Sequence, residues 1–259
     1  MAKIVRLLAC ALLLSSGFAG AAEVKVMTSG GFAAAHADLV PSYEKLTGDK
    51  IVTILGSSMG GAPDSIPSRL ARGEAVDIVI LAAPALDDLI KQGKVQPGTR
   101  VDLVRSTIGM SVKAGAPKPD ISTVEALKQT LRNAKSIAYS ASASGTYLSN
   151  ELFPRLGIWE EIKGKSKRIE SARVGTIVAN GEAEIGFQQV SELLPVPGTT
   201  FVGTLPEEVQ QVTIFSAGLA EGAKEPVAAQ SLIRYYTSPE AAPVIAKTGL
   251  EPIARKDVK

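Results

Sequence analysis

The chain contains 259 residues, of which 28 are lysine or arginine and 26 are aspartate or glutamate, so its formal net charge is only +2. This balance gives no electrostatic basis for binding nucleic acid or an anionic membrane surface. A single cysteine and a single histidine exclude a metal site built from cysteine and histidine ligands, and the motifs of serine hydrolases, dinucleotide-binding proteins and P-loop proteins do not occur in the sequence.

Residues 1–22 have the pattern of a cleavable secretory signal peptide. Lys3 and Arg6 precede an apolar run that is too short to span a bilayer, and small residues follow that run. Because the apolar run continues well beyond Cys10, we do not expect a lipid anchor at this cysteine. Cleavage close to Ala22 removes the cysteine and leaves equal numbers of basic and acidic residues. We therefore expect a mature periplasmic protein that its core stabilises without disulfides.

Apolar β-rich runs alternate with helix-like runs along the remainder of the chain. Most of the β-rich runs are apolar throughout, which is typical of a mostly parallel sheet covered by helices on both faces. Several helix-like runs end on glycine, a common helix C-terminal signal. The chain is therefore predicted to be an α/β protein. The predicted strands cover residues 24–28, 51–55, 77–81, 108–112, 184–188 and 212–216, and the predicted helices cover 32–48, 65–74, 84–93, 124–134 and 174–182.

Two stretches rich in proline and glycine, at residues 113–123 and 195–211, separate groups of predicted strands and helices. A chain that crosses into a second lobe and later returns makes its first lobe discontinuous. We predict that lobe 1 comprises residues 23–105 and 206–259, and that lobe 2 comprises residues 106–205.

Five predicted strand-to-helix connections are rich in glycine, serine and glutamine. Ligands of open parallel sheets bind beyond the carboxyl ends of the strands, where backbone N–H and hydroxyl groups can hold an anion. Each connection by itself is compatible with an ordinary turn or helix cap. All five together favour an anion-binding cleft. They are residues 29–32, 56–61, 141–147, 170–173 and 188–192.

The order and spacing of several motifs resemble those of type II periplasmic solute-binding proteins, most closely the molybdate-binding branch. The motifs include "GEAVDIVILAAPALDDLIKQGKV", "SGTY" at the start of a helix that ends "LFPRLGIW", and "VANGEAEIGFQQVSE". The resemblance extends from about residue 24 to about residue 250. It implies a two-lobed α/β fold in which each lobe has a mostly parallel sheet and the ligand lies between the lobes. It also implies ligand contacts at Gly31, Ser57, Ser144, Ser171 and Gln189.

The chain departs from that branch in its first two loops and in its arginines. Gly31 stands where the branch has a serine, residues 60–65 lengthen the second loop, and the usual tyrosine near the last motif is absent. Arginines near the inferred cleft favour a small di- or tricarboxylate, because a guanidinium can bind a carboxylate with two hydrogen bonds. Surface exposure is the alternative role for each arginine. The predicted ligand-binding residues are Gly30, Gly31, Phe32, Ser57, Ser58, Arg69, Arg105, Ser144, Gly145, Thr146, Ser171, Arg173 and Gln189.

Within this family, the overall pattern is also similar to an exported branch that interconverts trans- and cis-aconitate. That resemblance implies a cofactor-free allylic proton shift, which requires clamped carboxylates and a group that moves a proton. The candidates for this group are His36, Tyr147 and Glu192. A structural histidine, a neutral tyrosine hydroxyl and a helix-capping glutamate are the respective alternatives.

A non-catalytic binding protein is the second functional reading of the sequence. It would deliver a carboxylate or a molybdate-like oxyanion to an inner-membrane transporter. Under both readings we expect a monomer that binds a small anion, organic if it is a tricarboxylate such as aconitate, with no metal, no cofactor, no nucleic acid and no insertion into a membrane.

Overall fold

The structure of the protein is a computed structural model that describes residues 21–254. The predicted signal peptide therefore lies outside the described residues except for its last two positions. No helix within the described range is long and apolar enough to cross a membrane.

The described residues contain strands and helices in regular alternation. The strands are β1 (Glu23–Ser29), β2 (Lys50–Gly56), β3 (Ile78–Ala82), β4 (Val101–Ser106), β5 (Ile108–Lys113), β6 (Ile137–Ser140), β7 (Ser166–Ile169), β8 (Ile185–Gln189), β9 (Thr199–Thr204), β10 (Thr213–Leu219) and β11 (Glu251–Pro252). The α-helices are α1 (Gly30–Thr47), α2 (Ile66–Ala71), α3 (Ala83–Lys91), α4 (Val124–Asn133), α5 (Ala143–Tyr147), α6 (Phe153–Arg155), α7 (Trp159–Ile162), α8 (Val174–Ala179), α9 (Val190–Leu193), α10 (Pro226–Tyr236) and α11 (Ala242–Lys247). A π-helical turn (Leu148–Leu152) joins α5 to α6, and 3₁₀ turns occupy Lys163–Lys165 and Glu207–Val209.

The strands form two mixed sheets. The first sheet has the order β11-β4-β10-β3-β1-β2, in which β1 pairs in parallel with β2 and β3 while β10 runs antiparallel to its neighbours. The second sheet has the order β7-β6-β8-β5-β9, in which β6 pairs in parallel with β7 and β8 while β5 is antiparallel to its neighbours. The predicted α/β fold with two lobes is therefore confirmed. The prediction of mostly parallel sheets is wrong, because β10 and β5 each run antiparallel to both of their neighbours.

The chain crosses between the sheets twice, from β4 to β5 and from β9 to β10. The Gln210 side chain accepts a hydrogen bond from the Ile108 N–H at 2.9 Å and donates one to the Ile108 carbonyl at 2.9 Å, so the two crossing segments are tied together. To within one residue, the strands of the first sheet all lie in predicted lobe 1 and the strands of the second sheet all lie in predicted lobe 2. The limits themselves, 23–105 with 206–259 and 106–205, remain a prediction.

Four strands, β4, β7, β9 and β11, were not predicted, and β6 was implied only as the strand before the connection at residues 141–147. Strand β9 lies inside residues 195–211, which we interpreted as a turn-rich connection. Its residues pair along β5 from Thr199↔Lys113 to Thr204↔Gly109. Pairing with a neighbouring strand therefore decides its conformation, against the preference of the flanking proline and glycine residues for turns.

Each sheet packs against its own hydrophobic core. In the first lobe, Phe32, Tyr43 and Tyr236 are fully buried between the sheet and helices α1 and α10. In the second lobe, Phe153 and Phe187 occupy the corresponding position. The two cores hold the strand ends rigidly, and the loops that follow those ends face each other across the space between the sheets.

Candidate functional site

A cleft of about 150 Å³ lies between the two sheets. Its walls are the ends of β1, β2, β6 and β8, the loop before α8, and the side chain of Phe215 on β10. All five connections that the sequence predicted contribute residues to it. The lining residues are Ser29, Gly30, Gly31, Ala33, Leu55, Gly56, Ser57, Ser58, Asp64, Ser140, Ala141, Ser142, Ala143, Ser144, Ile169, Glu170, Ser171, Ala172, Arg173, Gln188, Gln189, Glu192 and Phe215.

Nine of the sixteen residues predicted to bind or transform the ligand line this cleft. Their roles toward a ligand remain predictions. They are Gly30, Gly31, Ser57, Ser58, Ser144, Ser171, Arg173, Gln189 and Glu192.

Serine hydroxyls form much of the polar surface of the cleft. Ser58 is fully buried and accepts a hydrogen bond from the Ala82 N–H at 3.0 Å, so its own O–H remains available to donate. The Ser144 hydroxyl lies 3.1 Å from that of Ser140. The Ser171 hydroxyl donates to Asp64 across the mouth of the cleft at 3.2 Å, and this bond joins the second lobe to the first.

Two buried polar atoms of the cleft lack a partner among residues 21–254. They are the Ser29 hydroxyl, on a residue 2% exposed, and the Gln189 Oε1, on a residue also 2% exposed. Ser29 occupies the N-cap position of α1, but its side chain makes no capping bond. Leaving a buried polar group without a partner is energetically costly, so these two atoms point to a bound polar ligand or ordered water.

Glu192 is the ionisable side chain whose properties the cleft changes most. Burial raises the pKa of this carboxyl from 4.5 to about 7, while the charge of Arg173 and a hydrogen bond from Gln188 act in the opposite direction. Gln188 Nε2 donates to Glu192 Oε1 at 2.8 Å. A carboxyl that titrates near neutrality beside a cationic side chain is suited to accepting and returning a proton.

Two glycines let the start of α1 approach the opposite wall closely. A Cβ at Gly30 would lie 2.0 Å from Glu192 Oε1, and a Cβ at Gly31 would lie 2.1 Å from the ring of Phe215. The contact with Phe215 explains why residue 31 is glycine here and not the serine of the molybdate-binding branch. The ring of Phe215 occupies the space that a side chain at this position would need.

His36 does not reach the cleft, which corrects its assignment as a proton-transfer candidate. It is 1% exposed and bonds through Nδ1 to the Tyr236 hydroxyl at 2.6 Å and through Nε2 to the Thr53 hydroxyl at 2.7 Å. Burial lowers the pKa of His36 from 6.5 to about 4. It lies about 9 Å along α1 from Gly30, at about 1.5 Å of rise per residue, so the helix carries it into the core of the first lobe.

Tyr147, Thr146 and Gly145 also fall outside the cleft lining. The Tyr147 hydroxyl donates to the Val209 carbonyl at 2.9 Å and accepts from Arg155 at 3.0 Å, one helical turn beyond the cleft wall. Tyr147 and Thr146 line a separate crevice beside the crossing segment. Gly145 instead permits α5 to approach β6, since a Cβ there would lie 1.7 Å from the Ser140 carbonyl oxygen.

The remaining three predicted ligand residues do not line the cleft, and each has a different position in the fold. Arg69 pairs with Glu74 at 2.7 Å on the helix after the second loop. Arg105 is exposed on β4, a strand whose alternating side chains direct it away from the cleft. Phe32 is fully buried with its ring 5.2 Å from that of Tyr236, because the first turn of α1 directs this side chain into the core.

Sequence reasoning missed Ser29 and Gln188, which both line the cleft. Each lies inside a connection that was already identified, immediately beside a residue that was chosen. The sequence indicates only that these residues lie at the end of a buried strand. It does not show which of two neighbouring side chains turns toward the cleft. Residues 21–254 contain no group of three or more histidine, cysteine, aspartate or glutamate side chains that could hold a metal ion.

Comparison with known proteins identifies relatives that match nearly the whole chain. The sequence pattern of the family described as bacterial extracellular solute-binding protein matches residues 24–251. An aconitate isomerase from a Pseudomonas species is 45% identical over 247 residues, which are 94% of each chain. The molybdate-binding protein ModA of Azotobacter vinelandii is 30% identical over 257 residues, covering 94% of this chain and 92% of that protein.

A solved structure shares the fold. The periplasmic molybdate-binding protein of Azotobacter vinelandii superposes with a TM-score of 0.70 at 20% sequence identity, over 90% of this chain and all of that one. At that identity the likeness concerns the fold alone.

Proposed function

This chain belongs to the bacterial extracellular solute-binding proteins, and from that premise we propose that it isomerises aconitate, interconverting the trans and cis forms without a cofactor. Glu192 carries the proposal, because its raised pKa and its place beside Arg173 equip the cleft for proton transfer on an anion. The aconitate isomerase relative, 45% identical over 94% of the chain, supports the same activity.

The cleft offers several donors for the carboxylates of the substrate. Arg173, which is exposed at the N-terminal end of α8, supplies a guanidinium that can bind one carboxylate through two hydrogen bonds. The hydroxyls of Ser29 and Ser58 can donate to another. Together these groups hold a planar tricarboxylate so that one methylene group faces Glu192, and fixed orientation of this kind lowers the barrier to reaction.

Glu192 then transfers a single proton between two carbon atoms. Its carboxylate removes a proton from the methylene of one carboxymethyl arm, and the electron pair forms a double bond to the central carbon. The original double bond supplies electrons to the carboxylate of the other arm, where Arg173 and the hydroxyls stabilise the added charge. Protonated Glu192 returns the proton to the former vinyl carbon, which completes the allylic shift.

The direct test is to follow trans-aconitate by proton NMR in the presence of the purified protein. We expect cis-aconitate to appear over many turnovers, with kcat/KM rising as the pH passes through about 7 because the basic form of Glu192 is then populated. In D₂O, deuterium should enter the arm that gains the proton to the extent that protonated Glu192 exchanges with solvent before it returns the proton. Glu192→Gln is the matched control, since it preserves shape and binding but cannot accept the proton.

Saturable binding of aconitate by the wild-type protein without any conversion would refute the isomerase. It would favour the second candidate, a binding protein that delivers an anion to an inner-membrane transporter, which the molybdate-binding relative supports. A thermal-shift comparison of molybdate with tricarboxylates separates the ligand classes, because the ligand that binds more tightly raises the Tm further.

Membership of an extracellular family implies export of the chain. We propose that residues 1–22 are the cleavable signal peptide, that the mature protein is a monomer, and that the periplasm is its location. N-terminal sequencing of the periplasmic protein tests the cleavage site, and light scattering tests the oligomeric state.

A further inference from the structure

Gln188 connects the first backbone amide of α8 to the carboxyl group of Glu192. Its Oε1 accepts a hydrogen bond from the Val174 N–H at 2.9 Å, and its Nε2 donates to Glu192 Oε1 at 2.8 Å. The Gln188 side chain is only 4% exposed. Both ends of its amide group are therefore engaged within the wall of the cleft.

The Val174 N–H determines which way the Gln188 amide points. A backbone N–H can only donate, so the atom that meets it must be the amide oxygen. The amide nitrogen then necessarily faces Glu192. The orientation follows from this bonding pattern and does not depend on distinguishing oxygen from nitrogen by their positions.

The two oxygens of Glu192 have different surroundings. Oε1 receives the bond from Gln188 and packs against Gly30, where a Cβ would come within 2.0 Å. Oε2 accepts no hydrogen bond from any residue between 21 and 254. Oε1 is thus held by the protein, whereas Oε2 has no such partner among the described residues.

We propose that Gln188 is a positioning residue for the isomerisation, holding Glu192 Oε1 so that Oε2 is the oxygen that exchanges the proton with the substrate. This inference rests on the proposed function. The same contact stabilises the ionised carboxylate of Glu192, because a hydrogen bond donated to the charged form favours that form.

Other charged side chains share the cleft with this carboxyl. Arg173, at the start of α8, lowers the pKa of Glu192. Asp64, before α2, and Glu170, after β7, line the same cleft. A variant at Gln188 replaces none of these three side chains, so a shifted titration of Glu192 together with a lower kcat at nearly unchanged KM reports the loss of the amide contact.

Gln188→Met tests the inference, because methionine has a similar size and cannot donate to Glu192. We expect the titration midpoint of the Glu192 carboxyl to rise by roughly one pH unit. It is measured by carbon-13 NMR of protein with labelled glutamate, and its signal is assigned by its absence in Glu192→Gln. We also expect kcat to fall about tenfold or more with KM nearly unchanged, because the proton-transfer group loses its orientation. Gln129→Met, on the exposed face of α4, is the matched control and should behave as the wild type.

A purely structural role for Gln188 gives a different result. Loss of the Val174 contact alone would displace the start of α8 and with it Arg173, raising KM while leaving kcat nearly unchanged. That outcome would overturn the inference. If Gln188→Met does not fold, Gln188→Glu keeps the acceptor for Val174 and removes the amide donor. The carboxyls of residues 188 and 192 then titrate as a pair, and the upper midpoint of this pair should exceed the midpoint of wild-type Glu192. An unchanged midpoint would contradict the inference.

The NMR titration also separates this inference from the proposed function. If the wild-type protein does not convert aconitate, the isomerase is refuted, yet the titration of Glu192 still shows whether Gln188 holds its carboxyl group. If the wild type converts aconitate and Gln188→Met shows neither a shifted midpoint nor a reduced kcat, only the role of Gln188 is refuted.

Discussion

Glu192→Gln should change how the folding stability of the protein depends on pH. Burial raises the pKa of Glu192 in the folded protein from 4.5 to about 7, so folding favours the protonated carboxyl. The stability that this group contributes is fully present below pH 4.5, and it is lost as the pH rises through about 7. The glutamine variant is uncharged at every pH and lacks this dependence.

The size of the effect follows from the two pKa values. At about 1.4 kcal/mol per pH unit, the difference between 4.5 and about 7 corresponds to about 3 kcal/mol in full. At about pH 5 the carboxyl of the unfolded protein is already partly ionised, so part of this change has already occurred. Between about pH 5 and about pH 8.5 we therefore expect to observe about 2–3 kcal/mol of it. The variant should gain that much stability relative to the wild type at the higher pH.

Urea unfolding of both proteins at the two pH values measures this difference. His36 also changes stability with pH, because burial lowers its pKa to about 4, so the stability it contributes is lost as the pH falls from 6.5 through that value. This contribution is common to both proteins and cancels when their free energies of unfolding are subtracted. Glu208→Gln, at an exposed position, serves as the control for removing a carboxylate.

A stability difference between wild type and Glu192→Gln that stays constant from pH 5 to pH 8.5 would refute the reasoning. It would mean that the carboxyl is hydrated well enough to titrate at its ordinary value. The part of the mechanism that depends on a carboxyl titrating near neutrality would then fail, even if the protein converts aconitate.

Three further substitutions test the site and the core. Arg173→Ala should weaken aconitate binding by about 1.5–3 kcal/mol in calorimetry, the range for hydrogen bonds to charged groups, and unchanged affinity would remove it from the site. Ser29→Ala should weaken binding without lowering the free energy of unfolding, because its hydroxyl has no partner among residues 21–254; a loss of stability would indicate an internal partner instead. His36→Leu should lower the free energy of unfolding by about 1–3 kcal/mol, since it leaves the buried hydroxyl of Tyr236 without its partner. The fraction of this variant that remains folded should still convert aconitate at the wild-type rate, and loss of turnover would return the histidine to the mechanism.

The location of the cleft was predictable because it depends on strand ends. Apolar runs such as 77–81 and 184–188 identify buried strands, and the small polar residues that follow them identify the connections. Parallel strands bring their carboxyl ends to one edge, so connections far apart in the chain converge there. Ser144, Ser171 and Gln189, which the resemblance to solute-binding proteins implied as ligand contacts, lie in these connections and all line the cleft.

Individual side chains within those connections were predictable only in part. Tyr147 follows Ser144 by three residues, yet its hydroxyl bonds to the backbone of Val209 outside the cleft. Arg69 belongs to the helix after the second loop, yet Glu74 pairs with it. In both cases the partner decides the direction of a long side chain, and the local sequence does not identify that partner.

The amino-acid sequence by itself determined the α/β class, the two-lobed organisation and the set of connections that surround the ligand, because these depend on patterns repeated over many residues. The tertiary structure alone decided that Glu192, rather than His36, has the environment for proton transfer near neutrality. The pKa of a side chain depends on the water it loses and the charges it gains on folding, and for Glu192 these come partly from Arg173 and from the start of α1, far away in the chain. His36 is buried in the core of the first lobe, where its two ring nitrogens bind the hydroxyl groups of Tyr236 and Thr53.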